Sequence, residues 1–461
     1  MLNIIFIVGV IVQIVTTSLW YQIALGRWTA GIGVGGLSVM TPMYQAETAP
    51  RQIRGALISA YQLFITFGIF LAYVINYGTE GMLNPSSWRI PMGIGFIFPV
   101  IMAVGIMMLP ESPRWDYRHG KIDNARHTLA LSYGKHEEHY EVVRELREIR
   151  EKFEAETMGG NHPWYEIFTG PRMAYRTVLG MTLQSLQQLT GANCKFSRTF
   201  FECFEYHFRL TIHIVFFYYG TTVFNGVGLE NPFVTSMILG GINFGSTFIG
   251  LYLVDHFGRR KCLIPGAFWM FICFMIFSSV GHFQFQPRSD ANSNPAVPDQ
   301  STQTPGNVMI VFTALFIFGY AITWGPMVWA LVGEIFPSRY RAKSMGLATS
   351  ANWTWNFLIS FFTPYITNAI DYRYGYIFAA CNFAGGLIVY FFVPESQGRT
   401  LEEIDTMYIS HVPAWKSSGW QPPVGERLGE TDGAYLAPGG QSISKPEERG
   451  QGEEKVENVV R

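Results

Sequence analysis

The chain has 461 residues, of which 49% are apolar and only 15% charged, below the roughly 25% charged content of soluble domains. Its apolar residues fall in blocks of about 20, enough to cross a hydrocarbon core of about 30 Å, so a soluble globular protein is excluded. The formal net charge of -1 says nothing about partners, and the five cysteines (194, 203, 262, 273 and 381) show neither disulfide nor metal spacing.

The blocks predict ten spans, near 2–20, 28–46, 56–77, 89–109, 174–193 (interrupted, resuming at 216–224), 233–254, 262–281, 307–332, 345–367 and 375–393. The first, "LNIIFIVGVIVQIVTTSLWY", has no basic leader and no small-residue cleavage site, so it reads as a span rather than a cleaved signal. Basic residues then set orientation. Arg51 and Arg54 follow the second span, the charged stretch Asp116 to Arg172 the fourth, Arg259, Arg260 and Lys261 the sixth, and Arg339, Arg341 and Lys343 the eighth. All fall on one side with the polar tail, which predicts cytoplasmic termini. Within the charged stretch, "EEHYEVVRELREIREKFEAE" places Glu148 and Lys152 at i, i+4 and predicts a solvated linker helix. "PRSDANSNPAVPDQSTQTPG" predicts a flexible outer loop. The tail after Met407 lacks sustained periodicity and is expected to be disordered. The division is then an incomplete N-terminal bundle (1–109), a linker with amphipathic helices (110–172), a C-terminal bundle (173–393) and a tail (394–461).

The chain repeats itself. "ETAPRQIRGA" begins at Glu47 and "EIFPSRYRAK" at Glu334, an offset of 334 − 47 = 287; "PES" recurs at 110 and 394, an offset of 284. Two motifs agreeing within three residues define two equivalent halves. Four spans precede the second Glu–Pro–Arg loop within its half, but only two precede the first, and "DHFGRRK" has no first-half equivalent. The symmetry thus leads us to expect two further spans and a basic loop ahead of Met1, with four spans present in the first half and six in the second.

The motifs "GRWTAGIGVGG", "YQAETAPRQIRGA", "PESPRW", "QQLTGAN", "YYGTTVF", "DHFGRRK", "TWGPMVWALVGEIFPSRYRAKS", "NWTWNF" and "PESQGRTLEEID" occur in this order from Gly26 to Asp405. Together they make the chain resemble the sugar porter family of the major facilitator superfamily, in particular the fungal hexose transporters. The resemblance implies an all-α membrane bundle of two pseudo-repeats, with twelve spans and a central sugar site opened alternately to each side. It implies transport of glucose or a related monosaccharide, by facilitated diffusion or proton symport, in the plasma membrane. No cofactor, metal, nucleic acid or obligate protein partner is inferred. A transporter-like sugar sensor and an intramembrane enzyme are the rival readings. The tail has no repeats, and no paired carboxylates or histidine ligands stand in the spans outside the segment discussed below.

A sugar is neutral and covered in hydroxyls, so its site needs neutral donors and acceptors and an aromatic face. The spans contain Gln62, Gln187, Gln188, Asn193, Asn243, Asn352 and Asn356, with Trp329 and Trp353 for the face. From the residues alone, the amides serve equally well as bonds between helices. The resemblance assigns Gln62, Gln187, Gln188, Asn193, Asn243, Trp329 and Asn352 to the sugar and leaves Asn356 open. Tyr218 and Tyr219 resemble an outer gate, the alternative being an interfacial aromatic belt. Glu47 with Arg54, Glu334 with Arg341, and Asp255 with Arg259 and Arg260 resemble an inner charge network, which the two PES motifs extend with Glu111, Arg114, Glu395 and Arg399. Positive-inside signals account for the arginines but not for the matched glutamates. Arg27, at the outer end of the second span, is either a coupling residue or a snorkelling one.

One stretch breaks the pattern. Lys195, Arg198, Glu202, Glu205 and Arg209 would fall within the fifth span, each at about 2.5–3.5 kcal/mol if placed at mid-bilayer. Cys194–Lys195 can be encoded with the splice donor GTAAG, Leu210–Thr211 with the branch sequence CTAAC, and Ile214–Val215 with an acceptor AG. Splicing there restores "GANFFFYYG" in frame. The segment 195–215 therefore reads as a retained intron, the alternative being a true insertion that leaves the bilayer as a looped-out helix. With the segment present and the first two spans missing, the chain is expected to insert poorly and not to transport.

Overall fold

A computed structural model describes all residues except 17–18, 51–52, 83, 158–163, 193–231, 285–299, 338–339, 400, 422–433, 437–441 and 445–461. It divides into residues 1–418 and 419–461. The second unit holds a short antiparallel strand pair, Ala434–Leu436 with Ser442–Ser444.

The first unit is helical throughout its elements. In chain order these are α1 (Leu2–Val15), α2 (Trp20–Thr48), α3 (Arg54–Thr79), α4 (Ser86–Ile94) and α5 (Ile97–Met108). The linker follows, with α6 (Pro113–Arg118), α7 (Ile122–Tyr133), α8 (Tyr140–Thr157) and α9 (Glu166–Thr169). The second half contains α10 (Met173–Leu189), α11 (Pro232–Phe257), α12 (Arg259–Phe283), α13 (Gln300–Ile322), α14 (Trp324–Ile335), α15 (Arg341–Ile370), α16 (Tyr374–Phe392) and α17 (Leu401–Ile409).

Among the described residues, seven helical stretches are long and apolar enough to cross a membrane, counting α4–α5 and α13–α14 as one each. The other three expected spans correspond to α1, α10 and α15. Helix α1 has 14 residues and α10 has 17, ending before the segment that lies outside the described residues. Helix α15 has 30, but the Asn, Thr and Ser residues along it lower its hydropathy. Helix α2 begins eight residues earlier than the sequence indicates, at Trp20, so Arg27 stands within it, half-buried. Small residues bring α1 onto α2. A Cβ on Gly9 would lie 2.4 Å from the Ala30 amide nitrogen, so only glycine permits this crossing.

The linker helices build a small core of their own from Leu129, Ala130, Val142 and Ile149, with Tyr117, Tyr133 and Leu146 against it. On α8, Glu148 pairs with Arg144 and Arg150 pairs with Glu154, while the Lys152 side chain lies outside the described residues. The linker is thus a packed layer of amphipathic helices.

Among the described residues, the two halves meet along three seams. Helix α3 lies on α11, where Phe67 and Phe70 pack on Phe244 and the Thr66 hydroxyl reaches that of Thr247 at 3.4 Å. Helix α3 and the end of α2 also pack on α14, through Ala46, Ile58, Trp329 and Ala330. Helix α2 meets α15 at Ser38 and Trp353.

The tail was expected to start at 394, but residues 394–418 fold back onto the bundle. Arg176, fully buried on α10, bonds the Asp405 carboxylate at 2.5 Å and the Asp405 carbonyl at 3.0 Å, with its guanidinium 4.4 Å from the Tyr408 ring centroid. Burial pushes the Tyr408 phenol well above its ordinary range.

Candidate functional site

Gln184, Gln187 and Gln188 stand at i, i+3 and i+4 on α10, so they share one helix face. That face meets Asn352 on α15. The Asn352 amide nitrogen donates to Gln184 Oε1 at 2.6 Å, to Gln187 Oε1 at 2.9 Å and to the Gln184 carbonyl at 3.3 Å. Its oxygen accepts from Gln188 Nε2 at 2.9 Å. Asn356, one turn on, donates to Gln188 Oε1 at 3.2 Å. Gln187 in turn donates to the carbonyls of Trp324 and Gly325, at 3.0 and 2.9 Å, in the first turn of α14. The first half contributes Gln62, which is buried and lies against Gly325.

Both readings of the amides therefore have a physical basis. They do bond between helices, yet the network leaves capacity open. Gln184 Nε2 and Asn243 Oδ1 are buried with no hydrogen-bond partner among the described residues. An unmet buried donor or acceptor costs about 1–3 kcal/mol, so each of these atoms calls for water or a ligand hydroxyl. Trp329 is buried, its ring edge-on to Tyr61 at 5.0 Å, whereas Trp353 is 42% exposed. The groups that the hub brings together are neutral amides, which suits a neutral polyol. Asn193, Tyr218 and Tyr219 lie outside the described residues.

The basic end of the bundle has its own order. Glu334 takes an ion pair from Arg259 at 2.8 Å, both side chains under 10% exposed, and its second oxygen accepts from the Ser396 hydroxyl at 2.7 Å. In the first half, Glu47 accepts from Ser112 at 2.6 Å. The two arginines at the repeat positions also match. Arg54 donates to the Ala49 carbonyl at 3.3 Å and Arg341 to the Phe336 carbonyl at 3.1 Å, each five residues back. The described ion pair of Glu334 is with Arg259, from α12, and the motif arginines also tie down their own loops. Glu334 and Glu145 still lie within electrostatic range of Arg54, which joins the halves and the linker.

Arg260 turns to the α16 carbonyl of Tyr390, at 3.0 Å, with its guanidinium over that ring. Glu395 acts as a helix cap, accepting from the backbone amides of Arg259 at 3.0 Å and Lys261 at 3.4 Å, where the helix dipole favours a carboxylate. Gly258 makes this possible, with φ +92° and Glu395 Oε2 only 2.7 Å from where a Cβ would stand. Arg399 donates to the Ser417 carbonyl at 2.6 Å. Glu111 lies within electrostatic range of Tyr44, whose hydroxyl donates to the Pro110 carbonyl at 2.8 Å. Arg114 lies within range of Arg54. Asp255 belongs to α11, its side chain outside the description.

Sequence reasoning missed Gln184, although "QSLQQ" puts it on the face of Gln187 and Gln188. It also missed Ser112 and Ser396, which stand inside the PES repeats. No pattern pointed to Arg176 or Ser38.

Comparison with known proteins agrees with this architecture. A family model described as "Sugar (and other) transporter" matches residues 1–206 and 205–408, the two matches meeting inside the anomalous 195–215 segment. The chain is 44% identical over 420 residues to the low-affinity glucose transporter of Kluyveromyces lactis, covering 91% of this chain and 70% of that protein. It is equally identical over 420 residues to hexose transporter HXT10 of Saccharomyces cerevisiae, covering 91% and 72%. Among solved structures it is similar to the proton:xylose symporter XylE bound to 6-bromo-6-deoxy-D-glucose, with a TM-score of 0.70, 25% identity, and coverage of 88% of this chain and 82% of that one. This multi-pass membrane protein belongs to the sugar transporter family of the major facilitator superfamily.

Proposed function

We propose that the protein, in the form that splicing out the 195–215 segment restores, carries a hexose, glucose or a close relative, across the plasma membrane by alternating access, with its basic end and both termini cytoplasmic. The observation that carries this reading is the Asn352 hub, which orients three glutamines while Gln184 Nε2 and Asn243 Oδ1 stay open in the interior. Sugar hydroxyls would meet those two atoms and Gln62, and the ring's C–H face would lie on Trp329 and Trp353. Asn193, Tyr218 and Tyr219 complete the site and its outer gate in this reading. The printed names of the relatives, glucose and hexose transporters, point to the same substrate class.

The basic end is closed. Arg54 lies near Glu334 across the halves, and Tyr61 meets Trp329. These contacts would part on inward opening, while Glu334, Arg259 and Ser396 all belong to the second half and can move as one body. Transport proceeds either by facilitated diffusion or by proton symport, with Arg27 the candidate for coupling. The test is equilibrium binding to the purified chain, followed by tryptophan fluorescence. D-glucose should bind and L-glucose should not, and Gln187→Ala should weaken D-glucose binding at least tenfold. Equal responses to the two enantiomers would refute the reading.

A further inference from the structure

Trp353 is read above as a sugar-facing ring of the second half, yet its hydrogen bond goes to the first. The indole Nε1 donates to Ser38 Oγ at 3.3 Å. The Ser38 hydroxyl donates its own proton to the Val34 carbonyl at 2.7 Å, so toward Trp353 it acts as an acceptor. Ser38 is buried on α2, and Tyr61 of α3 lies beside it. Tyr61 in turn packs edge-on against Trp329, the other aromatic residue assigned to the sugar. Each second-half indole thus meets a first-half side chain, Ser38 or Tyr61, and those two side chains are neighbours. At about 1.5 Å per helical residue, Ser38 stands about 14 Å from Glu47 and Tyr61 about 11 Å from Arg54, between the charged end and the amide hub.

We propose that Ser38 is a positioning residue that sets Trp353 against the sugar and, with Tyr61 and Trp329, seals the site on its basic side. The proposal rests on the sugar-carrier reading for the ligand but not for the seal. Parting the halves at this end must break the Ser38–Trp353 bond. Trp353 then loses the only described contact that fixes its indole N–H, so sugar-face geometry and inner closure are linked through one hydroxyl.

The test uses full-length chain carrying Ser59→Cys. Ser59 is fully buried on the α3 stripe that includes Gln62 and Thr66, at i, i+3 and i+7. Inside-out membrane vesicles are treated with an impermeant maleimide, and chain without Ser59→Cys is the blank. One neutral hydrogen bond is worth about 1 kcal/mol, about a fivefold change in an equilibrium. Ser38→Ala should therefore speed labelling at position 59 about fivefold, and Ser38→Thr should restore the slow rate. Trp353→Phe, which keeps a ring but removes the donor, should match Ser38→Ala, and the double variant should exceed neither single one. An unchanged rate in Ser38→Ala, or additive effects in the double variant, overturns the proposal. D-glucose should slow labelling where L-glucose does not. If the Ser38–Trp353 coupling holds and D-glucose gives no protection, the seal stands and the sugar reading falls.

Discussion

Asn352→Asp is nearly isosteric, yet it reverses the hub. The asparagine donates to Gln184 Oε1 at 2.6 Å and to Gln187 Oε1 at 2.9 Å. An ionised aspartate would present an oxygen to both. Gln184 can turn its amide to compensate, because its nitrogen has no other partner among the described residues. Gln187 cannot, because its nitrogen is committed to the carbonyls of Trp324 and Gly325. The turn of Gln184 also consumes the donor left open for a sugar hydroxyl. The unmet buried acceptor on Gln187, at about 2 kcal/mol, and one lost sugar contact, at about 1 kcal/mol, add to about 3 kcal/mol, or about a 100-fold weaker affinity. The introduced carboxyl is buried away from any cation of the hub, so its pKa should rise. Its protonated form can donate to Gln187, so binding should be weakest at high pH and recover as pH falls through that raised value. Asn356→Ala removes a single 3.2 Å bond to Gln188 and should cost about 1 kcal/mol, about fivefold. D-glucose titrations from pH 8 to pH 5 read all three. The reasoning fails if Asn352→Asp binds within threefold of the parent at high pH, or if Asn356→Ala is the more damaging change.

Three further outcomes are expected. Glu334→Gln leaves the buried Arg259 guanidinium without its 2.8 Å carboxylate and should destabilise the fold by about 3–5 kcal/mol, seen as a lower Tm, with Ser396→Ala showing a smaller loss. Gly258→Ala combines a left-handed backbone position with a Cβ 2.7 Å from Glu395 Oε2, so it should cost about 2 kcal/mol or more and lower Tm, whereas the Gly346→Ala control has open space around it. Replacing Cys194–Val215 by one Phe should raise the amount of folded protein recovered from membranes, and an unchanged or lower yield would count against the intron reading.

Much of the fold was legible because a membrane span needs about 20 apolar residues and little else. The repeat at 287 was legible because matched loops need matched chemistry, and the structure returns it as Glu47–Ser112 beside Glu334–Ser396. The Arg259 partner of Glu334 was not legible. Spacing suggested Arg341, seven residues away on the same motif, while the described ion pair comes from Arg259, 75 residues away on another helix. Asn352 as the hub was also hidden, because an amide's reach across helices depends on packing rather than on sequence distance. Ser38 carried no signal at all, since a serine in an apolar helix usually bonds its own preceding turn, as this one does to Val34.

The most direct measurement is uptake of D-glucose against L-glucose into proteoliposomes holding the chain with Cys194–Val215 replaced by one Phe. A sugar carrier built on the Asn352 hub takes up D-glucose saturably and in preference to L-glucose, and loses that preference with Asn352→Asp at pH 8. Equal, unsaturable entry of both enantiomers through correctly folded protein would contradict it.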